Sequence, residues 1–177
     1  ILVREDSSEL SAQLAKAQAD LETQKANLLK SKVVLNNYYS SVPNILNDSY
    51  TKADDAVRKQ VDSFFTDPES DTPKLNFQSA NSQAATDSQN GRLLSRAELK
   101  SWRQELDALK TKVPGLTNAE LEAELKKSEG HLVVIRDFLL KTMDALEKVY
   151  GLTQTTLDTY KASVITARNN VNTALTN

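Results

Sequence analysis

The stretch LSAQLAKAQADLETQKANLLKSKVVL, residues 10–35, decides the fold. Leu14, Leu21, Leu28 and Leu35 recur every seven residues, and Leu10 and Ala17 hold the second seam position before Gln24 and Ser31 follow them there. Seven-residue spacing keeps one stripe of a helix facing a partner helix, the patterning of a coiled coil. The stripe is narrow, and Ala12, Ala15, Ala17, Ala19 and Ala26 let a partner approach closely. Just upstream, Asp6-Ser7-Ser8-Glu9 reads as a capping box, in which Asp6 accepts from an early amide while Glu9 reaches back. Over residues 6–38 such a helix spans about 50 Å. A helix of that length with so narrow an apolar face belongs to a rod.

The end of the chain carries a matching pattern. Leu157, Val164 and Val171 are spaced by seven, with Tyr160, Ala167 and Ala174 at the second seam position. Residues 152–177 therefore read as a return arm antiparallel to the outgoing helix. Its Thr and Asn residues make it a weak helix former alone, so it needs a partner. The expected hairpin seam is Leu14, Leu21, Leu28 and Leu35 against Leu157, Val164 and Val171.

Between the arms the composition changes. Every aromatic side chain except Tyr160 falls between Tyr38 and Tyr150, which implies a thicker core than a two-helix seam provides. Three further helical stretches are expected. The first carries Leu46, Tyr50, Ala53, Val57, Val61 and Phe64 on one face, with a break or kink at Pro43. The second starts at the capping box Ser95-Arg96-Ala97-Glu98, presents Leu99, Trp102, Leu106 and Leu109, and ends at Pro114-Gly115. The third starts at the box Thr117-Asn118-Ala119-Glu120 and carries Leu121, Leu125, Leu132, Ile135, Leu139 and Leu146 until Gly151 breaks it from the return arm. The expected bundle core is Tyr50, Val57, Phe64, Leu99, Trp102, Leu106, Leu132, Ile135 and Leu139. Residues 67–92, with Pro68, Pro73, Gly91 and many polar residues, read as a long surface loop pinned by Leu75 and Phe77.

The fold class expected is all-α: a long antiparallel coiled-coil hairpin with a small helical bundle at its far end. Residues 1–38 form the outgoing helix, 39–151 the inserted bundle and 152–177 the returning helix. Only four Gly and four Pro in 177 residues leave little room for a turn-rich β protein.

Composition narrows the function. The 22 basic and 24 acidic residues are interspersed and give a net charge of −2, so no basic stripe exists to neutralise phosphates and nucleic-acid binding has no electrostatic footprint. With no Cys there are no disulfides, thiol nucleophiles or thiolate metal sites. No apolar run reaches the length of a membrane span, and the start does not read as a signal peptide. The first residue is Ile, so the chain is expected to be a piece of a longer protein, with targeting or anchoring segments outside it.

Candidate chemistry is sparse. His131 is the single histidine, and a metal site needs three or four converging ligands, so a partly buried structural role fits it better. Asp54 and Asp55 are helical neighbours whose carboxylates diverge by about 100° around the axis, a geometry of a solvated face and not of an acid–base pair. The string Gly91-Arg92-Leu93-Leu94-Ser95 reads as a loop leading into the Ser95 cap, not as a phosphate loop or nucleophile elbow. No catalytic, cofactor-binding or metal-binding residue is assigned.

The opening Ile1-Leu2-Val3-Arg4-Glu5-Asp6-Ser7-Ser8-Glu9-Leu10, followed by AQLAKAQADLETQKANL, resembles the periplasmic adaptor (membrane-fusion) proteins of tripartite efflux pumps and type I secretion systems. In that family a lipoyl-like half-domain ends in a strand of the form LVRLD before a hairpin helix rich in Ala, Gln and Leu. Residues 1–5 look like the end of that strand, and the closing TYKASVITARNNVNTALTN looks like the returning helix. The likeness covers about a third of the chain. The middle departs from it as an inserted helical segment. The family's channel-docking pattern also fails: Arg136 is followed by Leu140 at the right spacing, but Glu147 stands where a serine belongs.

The resemblance implies a non-catalytic adaptor segment on the extracytoplasmic side, anchored through segments outside this chain. Its implied partners are an inner-membrane transporter and an outer channel or other envelope component, with self-association into a homo-oligomer and without cofactors. A helical-bundle sensor ectodomain of a chemoreceptor or sensor kinase is the alternative. The two differ in the segment beyond Asn177 of the full-length protein: a second lipoyl half-motif and β-barrel for the adaptor, an apolar span for the sensor.

Overall fold

The structure, a computed structural model, describes residues 2–176; the side chains of residues 2–6 and 114 lie outside that description. The capping box read at Asp6 therefore falls outside it. The chain is all-α apart from four two-residue strands among the described residues. It divides into two units, Ile1–Ser41 and Val42–Asn177.

The first helix, α1, runs Leu2–Asp54. The strand end expected over residues 1–5 is not seen: 2–5 are helical, and Ile1 lies outside the described residues. A strand needs a neighbour to take its backbone hydrogen bonds, whereas a helix satisfies its own. Within the first unit, Ala, Leu, Lys, Gln and Glu are strong helix formers. Local pairs add to this, such as Lys25 with Glu22 at 2.9 Å and Gln13 with Glu9 at 3.3 Å.

Pro43 does not break α1, which passes through it. Proline removes one amide donor from the ladder. The Ser41 hydroxyl donates to the Tyr38 carbonyl at 2.7 Å, and the Asn47 amide donates to the Pro43 carbonyl at 2.8 Å. Val42 and Leu46, on either side, are buried and hold the second unit's share of the helix in place.

Beyond Asp54 the chain makes a π-helical turn at Asp55–Lys59 and a 3-10 turn at Asp62–Phe64. The segment read as one long loop is shorter and better tied than expected. Strand β1 (Phe65–Thr66) pairs antiparallel with β2 (Lys74–Leu75), and β3 (Gln78–Ser79) pairs with β4 (Val149–Tyr150). These ladders were not anticipated; they satisfy backbone groups that a surface loop would leave to water. Asn76 adds a bond from its side-chain amide to the Ser63 carbonyl at 2.6 Å. Phe77 is buried, as is Phe65. After β4, Gly151 takes φ +81°, the left-handed region in which a side chain is strained.

Helix α2 spans Ser82–Lys112, with the Asn81 side chain accepting from the Ala84 amide at its start. Residues 82–94, read as loop, are thus helical, and Ser95 is no cap but a buried interior residue. The reason is tertiary. Helix α3, Asn118–Glu147, lies antiparallel to α2, and small side chains let the two backbones approach. The Ser88 hydroxyl meets the Thr142 hydroxyl at 2.9 Å, and Thr142 donates in turn to the Phe138 carbonyl at 3.0 Å. A Cβ on Gly91 would lie 2.9 Å from Cδ2 and 3.3 Å from Cα of Phe138. Packing of this kind overrides weak local propensity.

A contrast between two glycines tests that account. Gly91→Ala gains about 1 kcal/mol of helix propensity but overpacks a buried ring, which costs about 1–3 kcal/mol. Net destabilisation is expected. Gly130, exposed on α3 with open space at its Cβ position, has no such opposition. Gly130→Ala is expected to stabilise by about 0.5–1 kcal/mol. Urea midpoints of the two variants should therefore move in opposite directions, and a gain for Gly91→Ala would mean that α2 and α3 are not in close contact there.

At the start of α3, Thr117 and Glu120 form the expected capping box, Thr117 accepting from the Glu120 amide and Glu120 from the Thr117 amide. The Thr117 backbone N–H first, and then its hydroxyl, hold the Glu120 carboxyl below the usual range. Helix α4, Gln154–Thr176, packs on α3 and on the π-helical turn. Val164, Ala167, Val171 and Ala174 are buried there, and Leu157 is half-buried. This corrects the expected hairpin seam: the return stripe is buried within the second unit, and Leu14, Leu21, Leu28 and Leu35 are exposed. It also moves the expected boundaries, since residues 152–177 belong with the bundle. Helix α3 draws α4 in because it has more than one apolar stripe. His131, Phe138 and Thr142 face α2, while Leu132, Ile135, Leu139 and Leu146 are buried as well.

Candidate functional site

The bundle brings together most of the expected core. Val57, Phe64, Leu99, Trp102, Leu106, Leu132, Ile135 and Leu139 are all buried, and Tyr50 is half-buried. Trp102 is the hub of an aromatic layer. Tyr50 meets it edge-on with centroids 5.5 Å apart, and His131 stacks on it at 4.9 Å. Burial, followed by the Asp54 carboxylate, pushes the Tyr50 phenol above its ordinary range. A second layer stacks Phe64 on Tyr160 at 4.2 Å.

His131 is gripped from α2 on both sides. Its Nδ1 lies 2.6 Å from Glu98 Oε1 and its Nε2 3.0 Å from Glu105 Oε2. Glu98 and Glu105 stand one heptad apart and flank Trp102. Glu98, read as half of a capping box, is therefore a lock between helices. With a carboxylate at each ring nitrogen, neither is left to activate a hydroxyl. Among the described residues no group of three His, Asp or Glu side chains could hold a metal ion.

The least anticipated feature is Arg92. Its side chain is fully buried, with Nε 2.7 Å from Asp62 Oδ1 and Nη2 2.8 Å from Glu69 Oε1. Arg58 also reaches Glu69, at 3.2 Å, and Arg96 bonds to Asp71 at 2.6 Å and to the Glu69 carbonyl. The cluster ties the 62–71 segment to α2. Counting the heptad of α2 backwards from Leu109 through Leu106, Trp102, Leu99 and Ser95 reaches Arg92 and Ser88 in unbroken register. That spacing was the available signal, obscured by Gly91 and by the polar residues around it.

A surface groove of about 450 Å³ opens beside Tyr50 and is lined by Arg58, Glu69, Arg96, Lys100 and Arg103. Three of its four cations are paired with carboxylates, Arg58 with Asp54, Arg96 with Asp71 and Arg103 with Asp107, and Glu69 adds a fourth carboxylate to the lining beside Lys100. The groove offers no excess positive field for an anion. Asp54 and Asp55 turn to separate partners, Arg58 and Lys59. Arg136, Leu140 and Glu147 lie exposed along α3.

The first unit is different in kind. Leu14, Leu21, Leu28 and Leu35 are 60%, 53%, 57% and 49% exposed, and Leu10 and Tyr38 are exposed beside them. These residues share one stripe of α1. Single exposed leucines are ordinary, but a continuous stripe of them marks an association surface. No helix among the described residues is long and apolar enough to cross a membrane. No family model, curated protein or solved structure matches the chain.

Proposed function

We propose that this chain is a non-catalytic structural segment of an extracytoplasmic membrane-transport or secretion assembly, in which α1 is the docking element and the bundle a rigid body. The observation that carries this reading is the exposed heptad stripe of Leu14, Leu21, Leu28 and Leu35. An isolated helix draws little stability from propensity alone, so a stripe of this kind gains by covering itself with another helix. The similarity of residues 10–35 to the outgoing helix of the adaptor family supplies the setting: an inner-membrane transporter on one side and envelope partners on the other.

The test is a photo-crosslinking residue at Leu21 in the full-length protein, in its native cell. A crosslink to an envelope protein, this one included, is expected, with none from a control position at Ala26 on the opposite face. Capture of cytoplasmic proteins alone, or equal yields from both positions, would end the proposal.

A further inference from the structure

We infer that the apolar face of α1 pairs with the same face of a second copy of this chain, parallel and in register, as a coiled coil over residues 10–38. This deepens the docking reading above and rests on it. Leu14, Leu21, Leu28 and Leu35 occupy one seam position, and Leu10, Ala17, Gln24, Ser31 and Tyr38 occupy the other. In a parallel pair in register each seam residue meets its own counterpart. Leucine then packs on leucine, the Gln24 amides bond to each other, and the Ser31 hydroxyls do the same. An antiparallel pair sets one seam position against the other, placing Leu21 on Gln24 and Leu14 on Ser31. Polar groups would then be covered without partners, which is unfavourable. A polar layer within an apolar seam is a known means of specifying register.

The flanking residues agree. In the parallel arrangement each residue just before a seam leucine lies near the residue five positions later in the second copy. Asp20 then faces Lys25 of the second copy, an opposite-charge pair made twice by symmetry. Gln13 faces Gln18, Asn27 faces Lys32 and Val34 faces Tyr39, with no like charges brought together. Lys25 and its present partner Glu22 are both well exposed, so Lys25 is accessible to a second helix.

The chain has no Cys, so one introduced cysteine reports one position. Ala17→Cys and Ser31→Cys, each in the whole chain, are expected to form disulfide-linked dimers readily under mild oxidation. Ala19→Cys, on the outer face, should remain monomeric. An antiparallel pair would place residue 17 near Leu28 and residue 31 near Leu14. Neither single cysteine would then cross-link, whereas a mixture of Ala17→Cys and Leu28→Cys chains would, and that result overturns the inference. Sedimentation equilibrium of the unaltered chain is expected to give the mass of two chains, reverting to one in Leu21→Lys/Leu28→Lys with the near-ultraviolet signal of Trp102 unchanged. A monomer at every accessible concentration also overturns it. If the chain is monomeric while Leu21 still cross-links to another envelope protein in cells, the docking reading stands and only the second copy falls.

Discussion

Trp102→Ala is expected to destabilise the bundle by about 3–5 kcal/mol, the usual range for emptying a buried tryptophan site. Trp102 is almost wholly buried, and the loss reaches beyond its own volume. Its ring supports Tyr50 from one side and His131 from another. Without it, His131 loses the surface that holds it between Glu98 and Glu105, and the α2–α3 lock loosens. Hydrogen exchange gives the spatial readout. Amides near 99–109 and 132–146 should lose protection, while those near 14–35 should change little, because the buried core residues all lie within the second unit. Equal loss in both regions would indicate one cooperative unit, and no change anywhere would mean that Trp102 is not a core residue.

The second large effect is expected at Arg92. Removing one member of a buried ion pair costs about 3–5 kcal/mol, because the other is left without compensation. Arg92→Ala should fall at the lower end, near ~3 kcal/mol, since Asp62 keeps some solvent and Glu69 keeps Arg58. The reverse deletion separates the two contributions. Asp62→Ala leaves the fully buried guanidinium with only the half-exposed Glu69, while Glu69→Ala leaves it the more buried Asp62. Urea unfolding should therefore rank Asp62→Ala as more damaging than Glu69→Ala. The opposite order would show that Glu69, shared with Arg58, is the anchor of the cluster. Among the described residues, neither Arg92 Nη1 nor the hydroxyl of Ser95 has a hydrogen-bond partner. Both lie on the seam face of α2.

Much of the architecture is legible in the sequence. Helix-forming composition, scarce Gly and Pro, and the capping box at Thr117 announce an all-α chain, and the concentration of aromatic residues after Tyr38 announces a bundle. The boundary of α2 was not legible from local signals. Ser, Asn, Asp and Gln at 82–90 favour turns, and Ser95-Arg96-Ala97-Glu98 satisfies the spacing of a cap. Only the 3-4 alternation from Ser88 to Leu109 argued otherwise, and it runs through an arginine and small polar residues. The pairing of Glu98 and Glu105 with His131 joins residues far apart in the chain, so no local pattern could display it. The apolar stripe on α1, by contrast, could be read residue by residue, because it depends on one helix alone.

The sequence by itself determined the all-α class and most of the apolar stripes, because period and propensity are properties of neighbouring residues. Only the tertiary structure decided which surface covers which stripe. The α4 stripe of Val164, Ala167, Val171 and Ala174 matches the α1 heptads in spacing, yet it is buried with α3 and the π-helical turn. A heptad stripe states that a partner is needed and is nearly silent on its identity, since hydrophobic burial is non-directional and rewards any apolar surface of suitable shape. Helix α3, apolar on more than one side, offered that surface within the same unit.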